Sequence, residues 1–443
     1  MNDRLGWIKP VFLVLLGLVC LGASRAALGA QASTAPAASA ASTRSLDLEY
    51  RELGYSVGTW TIPIALQSPP FKKEPELGQR KVYRGTLKFG DSTDAFVPFI
   101  WDPAQGKLHL DLNRNQDLTD DEAFACAGQP NSSDETFSRV RMSFKTPLGM
   151  EQMAMDLSFT DARATPNAYA SAFCCWEAKV TQGGQDWQLA LVDNPSGKLG
   201  SAENGSLIIR PWADRDKAVG LEYGQLDCLP FTPNVFFGQQ AYRLGGALAR
   251  QDNRIRYRLN LAERPEQLGE LKLAGQYIHR LILTRTGPGG ATPSGIGPQE
   301  AMAGRYAQNG RTLSPAPAPS LTVILDSPGP VVRIPVGSYF CQLCLKQGEV
   351  VARPLLNSFG ANARNSTLVV SATNAATLAF GGPLTNSVAV TRRGRSLAMN
   401  YRLLGAQGEA YQLEGPRKQP EFTIYRPGKN GDKKLASGAF QFG

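Results

Sequence analysis

The sequence predicts an all-β protein built as a larger β-rich region followed by a C-terminal β-sandwich, with few short helices. Three observations carry this. Apolar residues recur at every second position over many short runs, as in Thr59–Leu66 (TWTIPIAL) and Arg254–Leu261. The 45 Gly and 30 Pro fall between those runs, where turns need them. Stretches with a sustained helical period are nearly absent.

The chain opens with Arg4 and Lys9 before an uncharged apolar run, Val11–Ala23, and then a small-residue exit, Ala30-Gln31-Ala32. A basic start, a short apolar centre and an A-x-A exit make a cleavable signal peptide over 1–32. The run is short against the roughly 20 residues that span a bilayer. Cys20 lacks the small neighbour of a lipoprotein cysteine. The expected location is therefore exported: periplasmic, cell-envelope or extracellular. No later stretch is apolar enough to be a transmembrane segment after signal cleavage.

Residues 33–45 are Ala/Ser/Thr-rich and read as a tether. Strand-like runs fill 46–285, including Lys81–Phe89, Ala95–Trp101, Lys107–Leu112, Met153–Phe159, Trp176–Thr181, Trp187–Val192 and Ser206–Arg210. Glu263–Leu273 is among the few segments that fit a short helix. The Gly/Pro-rich stretch 286–320 reads as a linker. Seven more strand-like runs over 321–443 suit a separate sandwich domain. Within it, Ile334-Pro335-Val336-Gly337-Ser338-Tyr339 resembles the P-x-G-x-Y turn-and-strand of prealbumin-like or carboxypeptidase-regulatory-like sandwiches.

One segment points to specific chemistry. Residues 111–122 read DLNRNQDLTDDE. Oxygen-bearing side chains stand at positions 1 (Asp111), 3 (Asn113) and 5 (Asn115), with a carboxylate at 12 (Glu122). Calcium needs six to eight oxygens around one point, and this spacing converges alternate side chains on it. Asp117 at position 7 supplies a backbone carbonyl, and Leu118 at position 8 anchors the loop. The expected calcium ligands are thus Asp111, Asn113, Asn115, Asp117 and Glu122. The stretch resembles the EF-hand or dockerin-type calcium loop. It departs at Gln116, which replaces the usual Gly where the turn favours positive φ, at a cost of roughly 1 kcal/mol. Affinity should accordingly be moderate to low. The alternating Lys107–Leu112 run places the loop on a strand, not a helix. With Val82–Leu87 and Trp101-Asp102, the DLNRN stretch also resembles a family of exported bacterial β-rich proteins of uncharacterised role. A poorer copy begins at Asp193-Asn194, but Pro195 takes the third ligand position and an ordinary turn is expected there.

Other motifs point away from catalysis. Six cysteines remain after Cys20 leaves, an even number that permits disulfides without fixing their pairing. Cys341 and Cys344 lie three apart in a strand-like run, on opposite faces, unlike a redox pair at a helix start. With His109 and His279 as the two histidines, His-rich metal centres are excluded. The net charge of +9 is scattered, which gives nucleic-acid binding little support. The reading is an exported non-catalytic binding or scaffolding protein, with a polysaccharide or another envelope protein as its expected partner. The alternative is a secreted hydrolase of carbohydrate or peptide bonds, whose two carboxylates the sequence does not single out.

Overall fold

Alternation governs the described residues. The computed structural model describes residues 42–66, 71–90, 93–146, 149–161, 166–195, 205–218, 226–251, 254–285, 321–355, 368–394, 396–414, 420–427 and 432–440. The predicted signal peptide, nearly all of the tether and the 286–320 stretch lie outside those residues. Within them the protein is all-β, with short 3-10 turns at Thr93–Ala95 and Trp212–Asp214 and no α-helix.

Five sheets form among the described residues, the largest having sixteen strands. Its strand Thr43–Glu52 pairs with Cys174–Gln182 on one side and Arg254–Arg264 on the other. The tether therefore ends earlier than expected. Leu46 and Leu48 point into the core while Ser45 and Asp47 face solvent, a period-two pattern hidden behind the small residues upstream.

The first sandwich faces a four-stranded sheet, which includes Asp134–Thr146 and Gly149–Thr160, against a five-stranded one. Phe99, Trp101, Leu108 and Leu110 interdigitate there with Phe137, Phe144, Met155 and Phe159. Pro63 interrupts the expected Thr59–Leu66 strand, which divides into Thr59–Ile62 and Ile64–Ala65 in different sheets. A proline has no N–H for the ladder, so the chain crosses between layers at that point.

Glu263–Leu273 holds no helix. Arg254–Arg264 ends inside it, and Leu268–Leu273 forms a strand between Val331–Pro335 and Ala376–Leu378. Leu271 and Leu273 face inward and Glu270 and Lys272 outward, which is strand periodicity. Gly269 fixes the close approach: a Cβ there would stand 2.2 Å from the Ser371 carbonyl oxygen. Neighbouring strands, rather than local propensity, select the conformation.

The second sandwich begins before residue 286. Ile278–Arg285 pairs with both Leu321–Asp326 and Gly337–Gln347. Leu271, Leu273, Leu281 and Leu283 share one core with Val323, Ile334, Leu343, Leu345 and Leu378. The core thus runs through the expected linker boundary, so the segment from 321 on lacks its own cover. Removing residues up to 320 would uncover those last five side chains, at roughly 1.5–3 kcal/mol each. That rivals an entire domain stability of about 5–15 kcal/mol. A 321–443 fragment is expected to give no cooperative urea transition, whereas one starting near residue 265 should; a cooperative transition in the shorter piece would refute this account.

Candidate functional site

The Asp111–Glu122 loop connects two neighbouring strands. Lys107–Leu110 leads in, Ala123–Ala125 leads out, and the two pair directly through Lys107↔Ala125 and His109↔Ala123. His109 is buried in that pairing, and burial lowers its proton affinity. Leu118 is buried against Leu77 and Ile100, the anchoring role expected of position 8. The chain at Lys72–Lys73 straps the loop from outside, with Leu118 N–H donating to the Lys73 carbonyl at 3.1 Å.

Side chains wrap the loop backbone. The buried Asp111 carboxylate accepts the N–H of Asn115 at 3.1 Å and of Gln116 at 3.2 Å. Asn113 Oδ1 accepts the Asn115 N–H at 3.0 Å, and Asn115 Oδ1 accepts that of Asp117 at 2.7 Å. Arg114 and Gln116 both adopt left-handed backbone, at φ 65° and 68°. The strain expected at Gln116 is therefore present and has a counterpart two residues earlier.

Its charges are unevenly matched. Lys73 Nζ stands 2.8 Å from Asp117 Oδ2 and pulls that carboxyl down to about 2. Lys72 donates to the Asn115 carbonyl at 3.2 Å. Asp120 accepts the side-chain amides of Asn113 and Asn115. Asp121 Oδ2 is buried with no hydrogen-bond partner. Burial, then the charges of Asp111 and Asp120, push the Asp121 carboxyl up. Glu122 is exposed. Among the described residues no three Asp, Glu, His or Cys side chains converge tightly enough to hold an ion by themselves. An ion here would have to draw on amide and backbone oxygens as well.

A second polar site lies in the interior, where sequence reasoning missed it. Glu151, on Gly149–Thr160, and Asp193, just after Gln185–Val192, are 1% and 5% exposed. Asp193 accepts the Tyr257 hydroxyl at 2.8 Å and the Asn194 N–H at 2.8 Å. Neither Glu151 oxygen has a hydrogen-bond donor. Burial, then the Asp193 carboxyl beside it, holds the Glu151 carboxyl well above the usual carboxylate range. A signal for it exists in the sequence: Glu151 falls in phase with the inward Met153, Met155 and Leu157.

An open groove of about 660 Å³ runs along the large sheet, lined by Asp47, Arg51, Glu177, Lys179, Trp212 and Arg215 among others. Of its carboxylates, Asp47 pairs with Arg258 at 2.8 Å and Glu177 with Arg51 at 3.1 Å, while Glu49 also lines it. Glu151 does not line it. Trp101, Trp176 and Trp187 are buried in cores, and Trp60 and Trp212 are half-buried.

The six described cysteines are free thiols. Burial pushes Cys174 up to about 11 and Cys228 and Cys341 to about 12, far from the thiolate a nucleophile needs. Cys344 belongs to one core and Cys341 packs against another, on opposite faces of the sheet. The Tyr339 hydroxyl donates to the Pro335 carbonyl at 2.5 Å, closing the P-x-G-x-Y turn.

Comparison with known proteins finds no matching family model, no matching curated protein and no matching solved structure.

Proposed function

We propose that this chain is an exported, non-catalytic binding or scaffolding protein whose Asp111–Glu122 loop is tied by calcium. The observation that carries the calcium reading is the loop's pre-wrapped backbone, with Asp111, Asn113 and Asn115 in register and a buried, unpartnered Asp121 oxygen beside them. These three side chains and the Asp117 carbonyl supply four oxygens, and the Asp120–Glu122 run supplies the closing carboxylate. Calcium, which takes oxygen ligands in flexible geometry, suits such a mixed set better than magnesium, with its rigid octahedron. The cation's role is structural, because the loop joins paired strands with no helix to open. Export rests on the charge and apolar length of residues 1–32.

Affinity should sit near the roughly 10⁻⁴–10⁻³ M of extracellular modules, since Asn115 removes a charge and Gln116 resists the turn. At about 1 mM calcium, a Kd of about 10⁻⁴ M adds about 1.4 kcal/mol of stability. The readout is the calcium-dependent increment in stability, because Asp111→Ala also removes a hydrogen-bond acceptor from the Asn115 and Gln116 N–H groups. That increment should vanish in Asp111→Ala and grow in Gln116→Gly. Comparing Asp121→Asn with Glu122→Gln identifies the closing carboxylate. No calorimetric heat and no stability increment at several millimolar calcium would leave a plain acidic turn.

A further inference from the structure

The last two hairpins of the chain present a surface that the cation loop does not use. Thr385–Arg393 and Ser396–Leu404 form a ribbon in register, with Val388 opposite Tyr401 and Val390 opposite Met399. Only Leu403 and Leu404 pair onward, to Ala410–Leu413, and Thr385–Arg393 is the terminal strand of the sixteen-stranded sheet. Most of the ribbon therefore has one neighbour and two open faces.

Those faces differ. Directly opposed residues share a face of an antiparallel pair. One face carries Val388, Val390, Leu397, Met399 and Tyr401, with Arg392 at its tip end; the other carries Ser387, Thr391, Asn400, Arg402 and, at the tip, Arg393. On the apolar face Val388 is 43%, Val390 57% and Leu397 51% exposed. At its base Tyr401 stacks on Phe440, which also meets Phe422 of the neighbouring Glu421–Arg426 strand. That second hairpin exposes Tyr425 and Leu435 beside Arg426, Lys433 and Lys434.

Charge narrows the choice of partner. Residues 385–404 contain four arginines and no acidic residue. Among the described residues Arg392, Arg393, Arg402, Lys433 and Lys434 have no carboxylate partner. The ordinary device for protecting an edge strand is charge along it, and here the charges sit at the tip while valines occupy the strand. A second copy of the chain would bring like charges together. A hydrophilic polyanion would leave the valines and Leu397 in water. We propose that the two hairpins dock on an anionic lipid surface, with the apolar face at the acyl boundary and Arg392, Arg393, Lys433 and Lys434 among the headgroups.

Each basic residue brought to an anionic bilayer raises partitioning about fivefold, and the attraction is screened by salt. Flotation of the full chain with phosphatidylcholine vesicles, with and without phosphatidylglycerol, tests this. EDTA in the buffer keeps the outcome separate from that of the calcium reading. Binding is expected on the anionic vesicles alone and should weaken with added salt. Arg392→Glu with Arg393→Glu should cut it more than tenfold. Val388→Thr with Val390→Thr keeps β-propensity and should cut it several-fold, leaving the salt dependence intact. Unchanged thermal midpoints would show that neither pair of changes disturbs the fold. Equal binding to neutral vesicles, or binding unaffected by either pair, overturns the proposal. So does a dimer in sedimentation that the valine changes abolish while vesicles are ignored, or heparin binding that replaces vesicle binding.

Discussion

Asp227→Ala is expected to cost about 3–5 kcal/mol of stability, because it strands a fully buried arginine charge. Arg210 and Asp227 are both 0% exposed, with Arg210 Nη1 3.0 Å from Asp227 Oδ2. The same guanidinium donates to Gln188 Oε1 at 2.7 Å and the Tyr55 hydroxyl at 2.6 Å. It also donates to the carbonyls of Arg215 at 2.8 Å and Lys217 at 3.1 Å. Those two carbonyls belong to the turn that holds Trp212 and Arg215 at the groove. Replacing the pair together, as Arg210→Met with Asp227→Leu, removes the uncompensated charge and should recover most of the loss. Recovery stays incomplete because the Arg215 and Lys217 carbonyls lose their donor. Urea midpoints of the two singles and the double check the argument. A single change costing under about 1 kcal/mol, the ordinary range for an exposed ion pair, would show that the Arg210 guanidinium is hydrated in solution.

Arg210 also shows where sequence reading stops. It sits in the run Ser206–Pro211 (SLIIRP), and a lone arginine inside Leu and Ile marks something buried and paired. Its partner is 17 residues away, and the hydroxyl of Tyr55 is 155 away, distances that periodicity does not bridge. Local signals fared better. The all-β class followed from alternation, and the loop's left-handed residue at Gln116 followed from ligand spacing. The opposite faces of Cys341 and Cys344 followed from strand geometry. What failed were judgements that depend on neighbours. Glu263–Leu273 fits a short helix by its local sequence, yet two flanking strands draw Leu268–Leu273 into a sheet, and the Gly/Pro-rich 286–320 stretch masks strand pairing across it. Composition reports how a segment is built but not what its flanks are bonded to.

The interior pair, Glu151 and Asp193, should make stability depend on pH in the direction opposite to most carboxylates. Two carboxyls side by side in a dry interior cannot both be charged cheaply, so the folded state holds a proton on Glu151. The unfolded chain releases that proton near its ordinary value of 4.5. Because the folded value is raised, the stabilisation is complete below about pH 4.5 and is lost as pH climbs toward the folded value. Over that interval one group contributes a fall of about 1.4 kcal/mol per pH unit. The other groups facing the pair are Tyr257, Cys174, Tyr50 and Trp176. Burial raises Tyr257 and Tyr50 above their usual values and Cys174 to about 11, so none titrates near neutrality. The pair lies where the Gly149–Thr160 strand meets the large sheet, so its repulsion acts on the junction of two layers. Glu151→Gln cannot lose a proton, and its amide can donate to Asp193. That variant's margin over the wild type should be smallest near pH 4.5 and widen as pH rises, in urea midpoints taken up to pH 9. A wild-type midpoint that stays level from pH 5 to 9, or a Gln variant with the wild-type slope, would mean that Glu151 ionises freely where it sits.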